Sequence, residues 1–412
     1  MPGAANETER VGGDDGRVGV YLHLPWCERV CPYCDFAVLA ARPLRVEDED
    51  RYVADMLREL AARAPAFAPR GLASVYLGGG TPSLFRPESI ARLVEEVRAT
   101  FSDESGAPDA VEVTLELNPS TVERDRLPGF RDAGVNRLSI GLQSFDDGLL
   151  KRLGRAHRAD VAQSTLDAAR AAGFADLSLD LIFAGPDQTA ADLDRDLDAL
   201  IAFGPEHVST YELTFEPATP FGRAAADGRM TPPDEDLAAA MIEQVEGRLE
   251  TAGYRRYEIS SYARPGRRAR HNARYWQRQA VLGLGMGAHS TEPRSASQPH
   301  GARRANPRDL MAWRAGLDRD PANTGEEEGL DAATARGEAI FLGLRQVEGL
   351  SAAAFAAEFG GAPRVFFSSE IGRLVASGWL AEAREGDLRL TAEGRLVADS
   401  VATEFVAAKG AD

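Results

Sequence analysis

Short apolar runs alternate with longer amphipathic segments between residue 18 and about residue 215. The runs are rich in β-branched and other apolar residues, and the segments between them repeat apolar positions at the spacing of a helix. Near-continuous apolar strands that alternate with helices are typical of a parallel sheet covered by helices. The pattern therefore predicts six strand–helix units. The six runs are VGVYLHL (18–24), SVYLGGG (74–80), VEVTLEL (111–117), RLSIGLQ (137–143), LSLDLIF (177–183) and HVSTYEL (207–213).

The alternation stops after about residue 215, where a stretch rich in Pro, Gly and charge follows. GEEEGL (325–330) marks a second boundary. Beyond it, three helical patterns precede a hairpin-like segment and a last helix, an order typical of a winged-helix module. The chain is therefore predicted to have four parts. These are a disordered N-terminus (1–16), a large α/β domain (17–220), its extension (221–324) and a smaller C-terminal α+β, winged-helix-like domain (325–412).

The three cysteines of the chain, Cys27, Cys31 and Cys34, directly follow the first predicted strand. Their odd number and the small rings that they would close argue against disulfides. Thiolates at such short spacing can instead converge on one metal centre. A zinc site would need a fourth ligand, for which His23 is the nearest candidate. An iron–sulfur cluster could accept three thiolates and leave one iron open to an outside ligand.

Polar residues fall where several of the predicted strands end. Glu116 and Gln143 end the third and fourth strands, and Asp180 lies inside the fifth. Each could satisfy a buried hydrogen-bond network, because an unpaired polar group on an apolar strand is costly. Together at one rim they predict a ring of ligand-binding groups. The glycines 78–80, which end the second strand, would let backbone amides approach a bound amino-acid group.

These features together resemble the radical S-adenosylmethionine (SAM) superfamily. From about residue 18 to about residue 407 the chain is similar to the proteins related to oxygen-independent coproporphyrinogen III oxidase, and more closely to their heme-chaperone branch. The resemblance implies a partial (β/α)6 TIM-like barrel and a 4Fe–4S cluster, held by the three cysteines, whose open iron binds SAM. The positions that it assigns to the SAM site are Tyr21, Tyr33, Gly79, Gly80, Thr81, Glu116, Gln143, Arg155 and Asp180.

The segment HNARYW (271–276) resembles the HNxxYW motif of the heme-chaperone branch. The resemblance implies that the motif binds heme, with an imidazole for the iron and flat aromatic faces for the porphyrin. A hydrogen-bonded structural histidine is the alternative interpretation. His289 is a second candidate ligand for heme iron. The motif residues implied in heme binding are His271, Asn272, Tyr275 and Trp276.

One position departs from the oxidase pattern, in which a fourth cysteine follows two residues after the third. Phe36 stands there in this chain. The resemblance therefore implies a heme chaperone that carries a cluster with SAM, draws on an electron donor and hands heme to an apo-protein. The alternatives are a radical SAM enzyme acting on a porphyrinogen, which leaves open whether the chain is an enzyme, and a zinc-stabilised interaction protein.

Charge and composition argue against some classes of binding partner and location. The formal net charge is −17, which argues against nucleic acid as the main partner. No run of eighteen apolar residues occurs, so no transmembrane segment is expected, and the polar N-terminus lacks the apolar region of a secretory signal. Reduced thiols and an oxygen-sensitive cluster favour the cytoplasm. We expect a monomer or weak dimer.

Overall fold

The computed structural model describes residues 14–40, 43–101 and 111–407. Most of the predicted disordered N-terminus, residues 1–13, lies outside these ranges. Asp14 and Asp15 lie within them, and each pairs with an arginine of the folded chain. Asp14 pairs with Arg70, and Asp15 pairs with Arg274 at 2.8 Å. None of the helices in the described ranges is both long and apolar enough to cross a membrane.

Six parallel strands form the centre of the main sheet in the described part of the chain, and they adjoin one another in sequence order. Their buried faces carry the apolar runs predicted from the sequence, and two runs match the observed strands residue for residue. The mixed α/β fold with a parallel core sheet is thus confirmed. The strands are β1 (Arg17–Leu24), β2 (Gly71–Gly79), β3 (Glu112–Leu117), β4 (Arg137–Gln143), β5 (Leu177–Phe183) and β6 (His207–Glu212).

Helices connect these strands and cover the sheet. The helix before β6 illustrates the local signals that fix its ends: Thr189 and Asp192 form a capping box, and Gly204 ends it in the left-handed conformation. Its buried face carries leucines at helical spacing, as the sequence pattern predicts. The helices are α1 (Val46–Arg63), α2 (Pro87–Thr100), α3 (Thr121–Asp132), α4 (Asp147–Arg152), α5 (Ala159–Ala171) and α6 (Ala190–Phe203).

The segment that follows the six units extends the sheet at both edges. It contributes α7 (Pro220–Ala226), α8 (Glu235–Thr251), β7 (Arg255–Arg256), β8 (Ser261–Ala263), α9 (Arg270–Trp276), β9 (Val281–Leu284), β10 (His289–Glu292), β11 (Ala302–Ala305), α10 (Leu310–Arg319) and β12 (Glu326–Gly329). β8 and β7 continue the sheet beyond β6, whereas β9 pairs in parallel with β1 and leads to antiparallel β10, β11 and β12.

The strand β12 lies at the predicted boundary between the extension and the C-terminal domain. Its acidic run pairs with β11, so residues 326–329 belong to the main sheet, while the division of the chain at residue 325 stays a prediction. All four residues of the strand are exposed. Charge at an exposed edge strand discourages pairing with other chains, and it also gives the strand the composition of a linker. A run of this kind therefore cannot be assigned to a strand or to a linker from composition alone.

A smaller C-terminal module follows, with its own apolar core that includes Ile340, Phe355, Phe367, Leu388 and Phe405. Helices and a short hairpin follow one another in the predicted order, which confirms a C-terminal helical region. Its elements are α11 (Ala332–Gly343), α12 (Ala352–Phe359), α13 (Pro363–Phe366), α14 (Ser368–Ala376), β13 (Leu380–Glu382), β14 (Leu388–Leu390), α15 (Ala392–Leu396) and α16 (Ala398–Ala407).

A buried carboxylate in α1 ties the first strand–helix unit to the extension. Glu59 is fully buried and accepts hydrogen bonds from four donors. Burial raises the pKa of its carboxyl group, and the donors oppose that rise. The carboxylate thereby joins segments that are more than 200 residues apart. The donors are the backbone N–H of Gly285 and the side chains of Asn306, Trp313 and Thr324.

We expect Glu59→Ala to lower the free energy of unfolding by about 3–5 kcal/mol, because it leaves several buried donors without an acceptor. Glu59→Gln should cost less, since its amide oxygen can still accept some of these hydrogen bonds. Urea unfolding followed by circular dichroism measures both effects. Glu95→Ala, an exposed position on α2, is the control. Equal stability of the Glu59→Ala and Glu95→Ala variants would refute this role.

Candidate cofactor site in the barrel mouth

The three cysteines lie on the loop that leaves β1 at the carboxyl edge of the sheet. Their thiols are free and half-buried. The loop is held by parallel pairing of Trp26–Cys27 with Leu39–Ala40 and by a 3.1 Å hydrogen bond from the Cys34 N–H to the Cys31 carbonyl. All three cysteines line one cavity of about 520 Å³ at the barrel mouth. The direction of the parallel strands thus places the cysteine loop at the mouth of the barrel, where it faces the barrel interior.

The loop offers the donor chemistry of a metal centre. Across residues 14–40, 43–101 and 111–407, no three His, Cys, Asp or Glu side chains stand already arranged around one metal position. The fit to a metal centre therefore rests on three free thiols that share one half-buried loop and one cavity. Burial raises the pKa of the Cys27 thiol to about 11, so metal binding would release a proton from it.

His23 does not serve as a fourth metal ligand. It is buried, and both of its ring nitrogens are hydrogen-bonded within the protein. Nε2 lies 2.8 Å from the Ala37 carbonyl and therefore donates, which leaves Nδ1 to accept from the Tyr21 hydroxyl at 2.9 Å. Burial lowers the pKa of His23, in keeping with a neutral ring. The zinc alternative thereby loses the ligand on which it depended.

Arg155 connects the cysteine loop to the neighbouring strands. Its Nη1 lies 3.6 Å from the Cys31 sulfur. Its Nη2 donates to the Asn118 side chain and to the Gly141 carbonyl, which fixes the guanidinium beside the loop. A fixed positive charge next to a thiol stabilises the thiolate form that binds metals.

Glu116 stands across the cavity at the end of β3. It accepts hydrogen bonds from the Tyr76 hydroxyl at 2.7 Å and from the Gly79 N–H at 3.0 Å. Burial raises the pKa of Glu116 to about 7 and that of Asp180 to about 6. A ligand that brings positive charge or hydrogen-bond donors would therefore stabilise the ionised form of both carboxyl groups.

Glycine is required at the end of β2 by its backbone and by its neighbours. Gly79 has a φ of +106°, and a Cβ there would lie 2.5 Å from the His23 ring. A Cβ at Gly80 would lie 2.6 Å from the Pro25 backbone. The two glycines thus keep this wall of the cavity thin and bring backbone groups close to its interior.

Two side-chain oxygens at the rim have no partner within the described residues. They are Oε1 of Gln143 and Oδ1 of Asp180, both buried, and both residues line the cavity. Gln143 also adopts a φ of +72°, an uncommon conformation for a residue other than glycine. Buried acceptors without partners are rare because they forfeit their hydrogen bonds to water. Their presence at a cavity indicates that a ligand supplies the missing donors.

The structure brings most of the predicted SAM positions together, but not all. Tyr33, Gly79, Gly80, Glu116, Gln143, Arg155 and Asp180 line the cavity with the cysteines. Tyr21 and Thr81 do not line it. Behind the cavity wall, the Tyr21 hydroxyl hydrogen-bonds to His23, and the Thr81 hydroxyl accepts a hydrogen bond from Asn118. Tyr76, Arg137 and Tyr211, which the sequence pattern does not single out, also line the cavity. Alternation along β2 could have identified Tyr76, since it shares a face with the polar Ser74.

The HNARYW motif forms α9, which closes the barrel interior from below. The backbone N–H groups of residues 270 and 271 each donate to the Glu112 carboxylate at 2.9 Å. His271 is only 1% exposed; its Nδ1 lies 2.8 Å from the Ser74 hydroxyl and its Nε2 lies 3.2 Å from the Tyr275 hydroxyl. Burial lowers the pKa of His271 to about 3. Its ring stacks on Tyr76 with 5.2 Å between the ring centroids.

In this conformation both nitrogens of His271 have hydroxyl partners and the ring is enclosed, so heme ligation by His271 stays a prediction that would require these partners to give way. The residues of the motif also lie on two different sides of α9. Asn272 lines the barrel cavity, and Tyr275 packs edge-on against His271. Trp276 lines a different cavity, beside the C-terminal module. His289, the second candidate, is exposed at the start of β10.

Comparison with known proteins agrees with this architecture. Residues 21–200 match the Radical SAM superfamily, and residues 330–397 match the HemN C-terminal domain. In solved structures, the chain is similar to coproporphyrinogen III oxidase (HemN) from Escherichia coli, with a TM-score of 0.79 over 94% of this chain and 90% of that one. Their sequence identity is 22%, so this likeness shows the shared fold alone.

Sequence relatives are similar to this chain at higher identity than that structure. "Heme chaperone HemW" from Bacillus subtilis (strain 168) is 32% identical over 394 residues, which cover 94% of this chain and 98% of the relative. "Heme chaperone HemW" from Haemophilus influenzae is 41% identical over 276 residues, which cover 66% of this chain and 70% of the relative. The match to the first relative spans the barrel, the extension and the C-terminal module alike. The chain therefore belongs to the HemW family of radical SAM proteins.

Proposed function

We propose that this protein binds heme, carries a 4Fe–4S cluster with SAM, and transfers heme to an acceptor protein. The observation that carries the proposal is the barrel-mouth cavity, which is lined by three free thiols and by two buried oxygens without a partner in the part of the chain that the structure describes. Similarity over 94% of this chain to a relative named "Heme chaperone HemW" supports the heme part of the proposal.

Different side chains of the cavity hold the cluster and SAM. Cys27, Cys31 and Cys34 bind the cluster, and Arg155 balances the negative charge of the thiolates. Glu116 and the glycines at the end of β2 bind the amino-acid part of SAM, while Gln143 and Asp180 accept hydrogen bonds from the rest of the molecule. When bound, the cluster and SAM together supply one-electron reductive chemistry, for which an electron donor is needed.

A second candidate function is a radical SAM enzyme of tetrapyrrole metabolism. The cavity continues into the barrel past the SAM-binding groups, along Arg137, Ser139, His207 and Ser209, and this polar interior favours a second small molecule. Phe36 weighs against the oxidase reaction, because it replaces the fourth cysteine of that pattern and its side chain is 69% exposed. We therefore propose the chaperone as the main function.

The test of this choice is a pair of assays on anaerobically purified protein with a reconstituted cluster. We expect the protein to bind heme, seen as a Soret band in the difference spectrum, and to leave coproporphyrinogen unchanged. Decarboxylation of coproporphyrinogen without heme uptake would favour the enzyme instead.

Replacement of Cys27, Cys31 and Cys34 by alanine should abolish iron and sulfide incorporation while the barrel still folds. The thiols are half-buried on a loop and lie outside the main apolar core. Iron and acid-labile sulfide are measured after reconstitution, and circular dichroism reports the fold. Phe36→Ala, on the same loop, should retain the cluster. An iron content equal to that of wild type in the triple variant would contradict the assignment.

Glu116 should make SAM binding depend on pH. Because burial raises the pKa of Glu116 to about 7, its carboxyl is mostly protonated at pH 6 and mostly ionised at pH 8. The ionised form accepts hydrogen bonds from an amino group, so SAM affinity should rise by up to about tenfold over this range. In Glu116→Gln, affinity at pH 8 should fall by roughly 10–100-fold and lose this rise.

Calorimetric titration of cluster-loaded protein with SAM measures these affinities. Glu96→Gln, at an exposed position on α2, is the control and should follow wild type. Comparison of the two variants also cancels the ionisation of SAM itself. A pH dependence that persists unchanged in Glu116→Gln would assign the titration to another group.

A further inference from the structure

Tyr76 connects the helix α9 to the proposed SAM site. It stands on β2, and its side chain lines the barrel-mouth cavity. The His271 ring stacks on the Tyr76 ring, with 5.2 Å between the ring centroids and 29° between the ring planes. On its other side, the Tyr76 hydroxyl donates a 2.7 Å hydrogen bond to Oε1 of Glu116. One side chain therefore lies between the HNARYW motif and the carboxylate that we assign to SAM.

Two hydrogen bonds from β2 set the orientation of the Glu116 carboxylate. Oε1 accepts from the Tyr76 hydroxyl, and Oε2 accepts from the Gly79 N–H at 3.0 Å. These are the hydrogen bonds that the described residues donate to this carboxylate. Each carboxylate oxygen can accept a further hydrogen bond, so both remain able to bind a ligand. Without Tyr76, a single backbone donor would hold the carboxylate.

Glycine at residue 78 makes room for the contact between Tyr76 and Glu116. A Cβ at Gly78 would lie 2.7 Å from the Tyr76 ring and 3.1 Å from the Glu116 carboxyl group. A side chain at this position would therefore displace the ring, the carboxylate or both. The sequence of β2 thus keeps the aromatic ring and the carboxylate in contact.

His271 gives the Tyr76 ring a fixed surface to pack on. Its Nδ1 lies 2.8 Å from the Ser74 hydroxyl on β2, and its Nε2 lies 3.2 Å from the Tyr275 hydroxyl on α9. The first turn of α9 is held in turn by Glu112, which accepts two backbone N–H groups. Burial lowers the pKa of His271 to about 3, so the ring is neutral. A neutral ring held at both nitrogens is a rigid support.

The groups around Glu116 give the Tyr76 hydroxyl a distinct role. Burial raises the pKa of Glu116 to about 7, and the Tyr76 hydrogen bond is the strongest influence that opposes this rise. Asp180 on β5 adds to the rise. The other neighbouring ionisable groups donate no hydrogen bond to this carboxylate within the described residues. They are Tyr21 on β1, Tyr211 on β6 and Tyr275 on α9, while Arg137 on β4 lies near Tyr76 itself.

We propose that Tyr76 and His271 are positioning residues of the SAM site, in which Tyr76 orients the Glu116 carboxylate and His271 holds the Tyr76 ring. This inference rests on the proposed function, in which Glu116 binds SAM. It gives the HNARYW motif a role in SAM binding that requires neither iron nor an exposed imidazole. Heme ligation by His271 is a separate prediction, and it has a different readout.

The first test is a calorimetric titration of the cluster-loaded full chain with SAM, from pH 6 to pH 8.5, for wild type and Tyr76→Phe. The variant keeps the ring but lacks the donor that stabilises the ionised form of Glu116. We expect about two- to tenfold weaker binding at pH 7, which is the range for one lost hydrogen bond. The midpoint of the rise in affinity with pH should move upward by about half a unit to one unit.

Tyr254→Phe is the matched control for this measurement. It also loses a buried hydroxyl bond, which Tyr254 donates to the Pro205 carbonyl at 2.7 Å, but Tyr254 is not among the residues that line the cavity. Its SAM affinity should follow wild type at each pH.

The second test compares His271→Ala with His271→Phe. Loss of the ring beneath Tyr76 should weaken SAM binding about two- to tenfold in His271→Ala, the range for one aromatic pair. His271→Phe keeps a flat ring and should recover most of this affinity. Iron and sulfide content should equal wild type in both variants, and thermal unfolding checks that they fold. If either variant fails to fold, the pH profile of Tyr76→Phe still decides.

The outcomes separate this inference from the function on which it rests. If Glu116→Gln weakens SAM binding but Tyr76→Phe keeps the wild-type pH profile, the inference is overturned and the SAM site stands. An equal loss at every pH in Tyr76→Phe also overturns it, because the hydroxyl then does not act through Glu116. Unchanged SAM affinity in a folded His271→Ala removes His271 from the proposal. If wild type binds no SAM, or Glu116→Gln binds it equally well, the proposed SAM site itself fails.

Discussion

Parallel pairing of β1 with its two neighbouring strands fixes where the side chains of the barrel-mouth cavity meet. β1 pairs with β2 on one side, from Arg17 opposite Gly71 to Leu24 opposite Gly79, and with β9 on the other. Because parallel strands end at the same edge, the cysteine loop after β1 meets the glycines of β2 there. The later strands repeat the arrangement and bring Glu116, Gln143 and Asp180 to the same rim. Parallel pairing thus brings together side chains that are as far apart in sequence as Cys27 and Asp180.

Buried carboxylates in this fold belong to two kinds, which differ in how completely they are hydrogen-bonded. Glu59 receives four donors and joins α1 to the extension. Asp180 is half-buried, and its buried Oδ1 has no partner within the described residues. A fully satisfied carboxylate stabilises the fold, whereas a partly satisfied one at a cavity keeps its capacity for a ligand. The contrast separates a carboxylate that stabilises the fold from one that we propose binds a ligand, and it does so without reference to sequence relatives.

The short helix α9 separates the two cavities. Its first residues are anchored on Glu112 and present His271 and Asn272 to the barrel interior, while Trp276 at its end faces the C-terminal module. His271 packs on Tyr76, whose hydroxyl binds Glu116. The motif thus supports the Glu116 wall of the barrel-mouth cavity from below and contributes an aromatic ring to a second cavity.

Periodicity and spacing along the chain predict the order of strands and helices, the rim at which polar residues collect and the loop that carries the cysteines. These features are predictable because they follow from local periodicity and from the direction of parallel strands. The tertiary structure, by contrast, supplies partners for both nitrogens of His271, places Tyr21 and Thr81 behind the cavity wall and joins β12 to the main sheet. These outcomes depend on partners distant in the chain, and periodicity reports which face a residue takes but not which residue it meets.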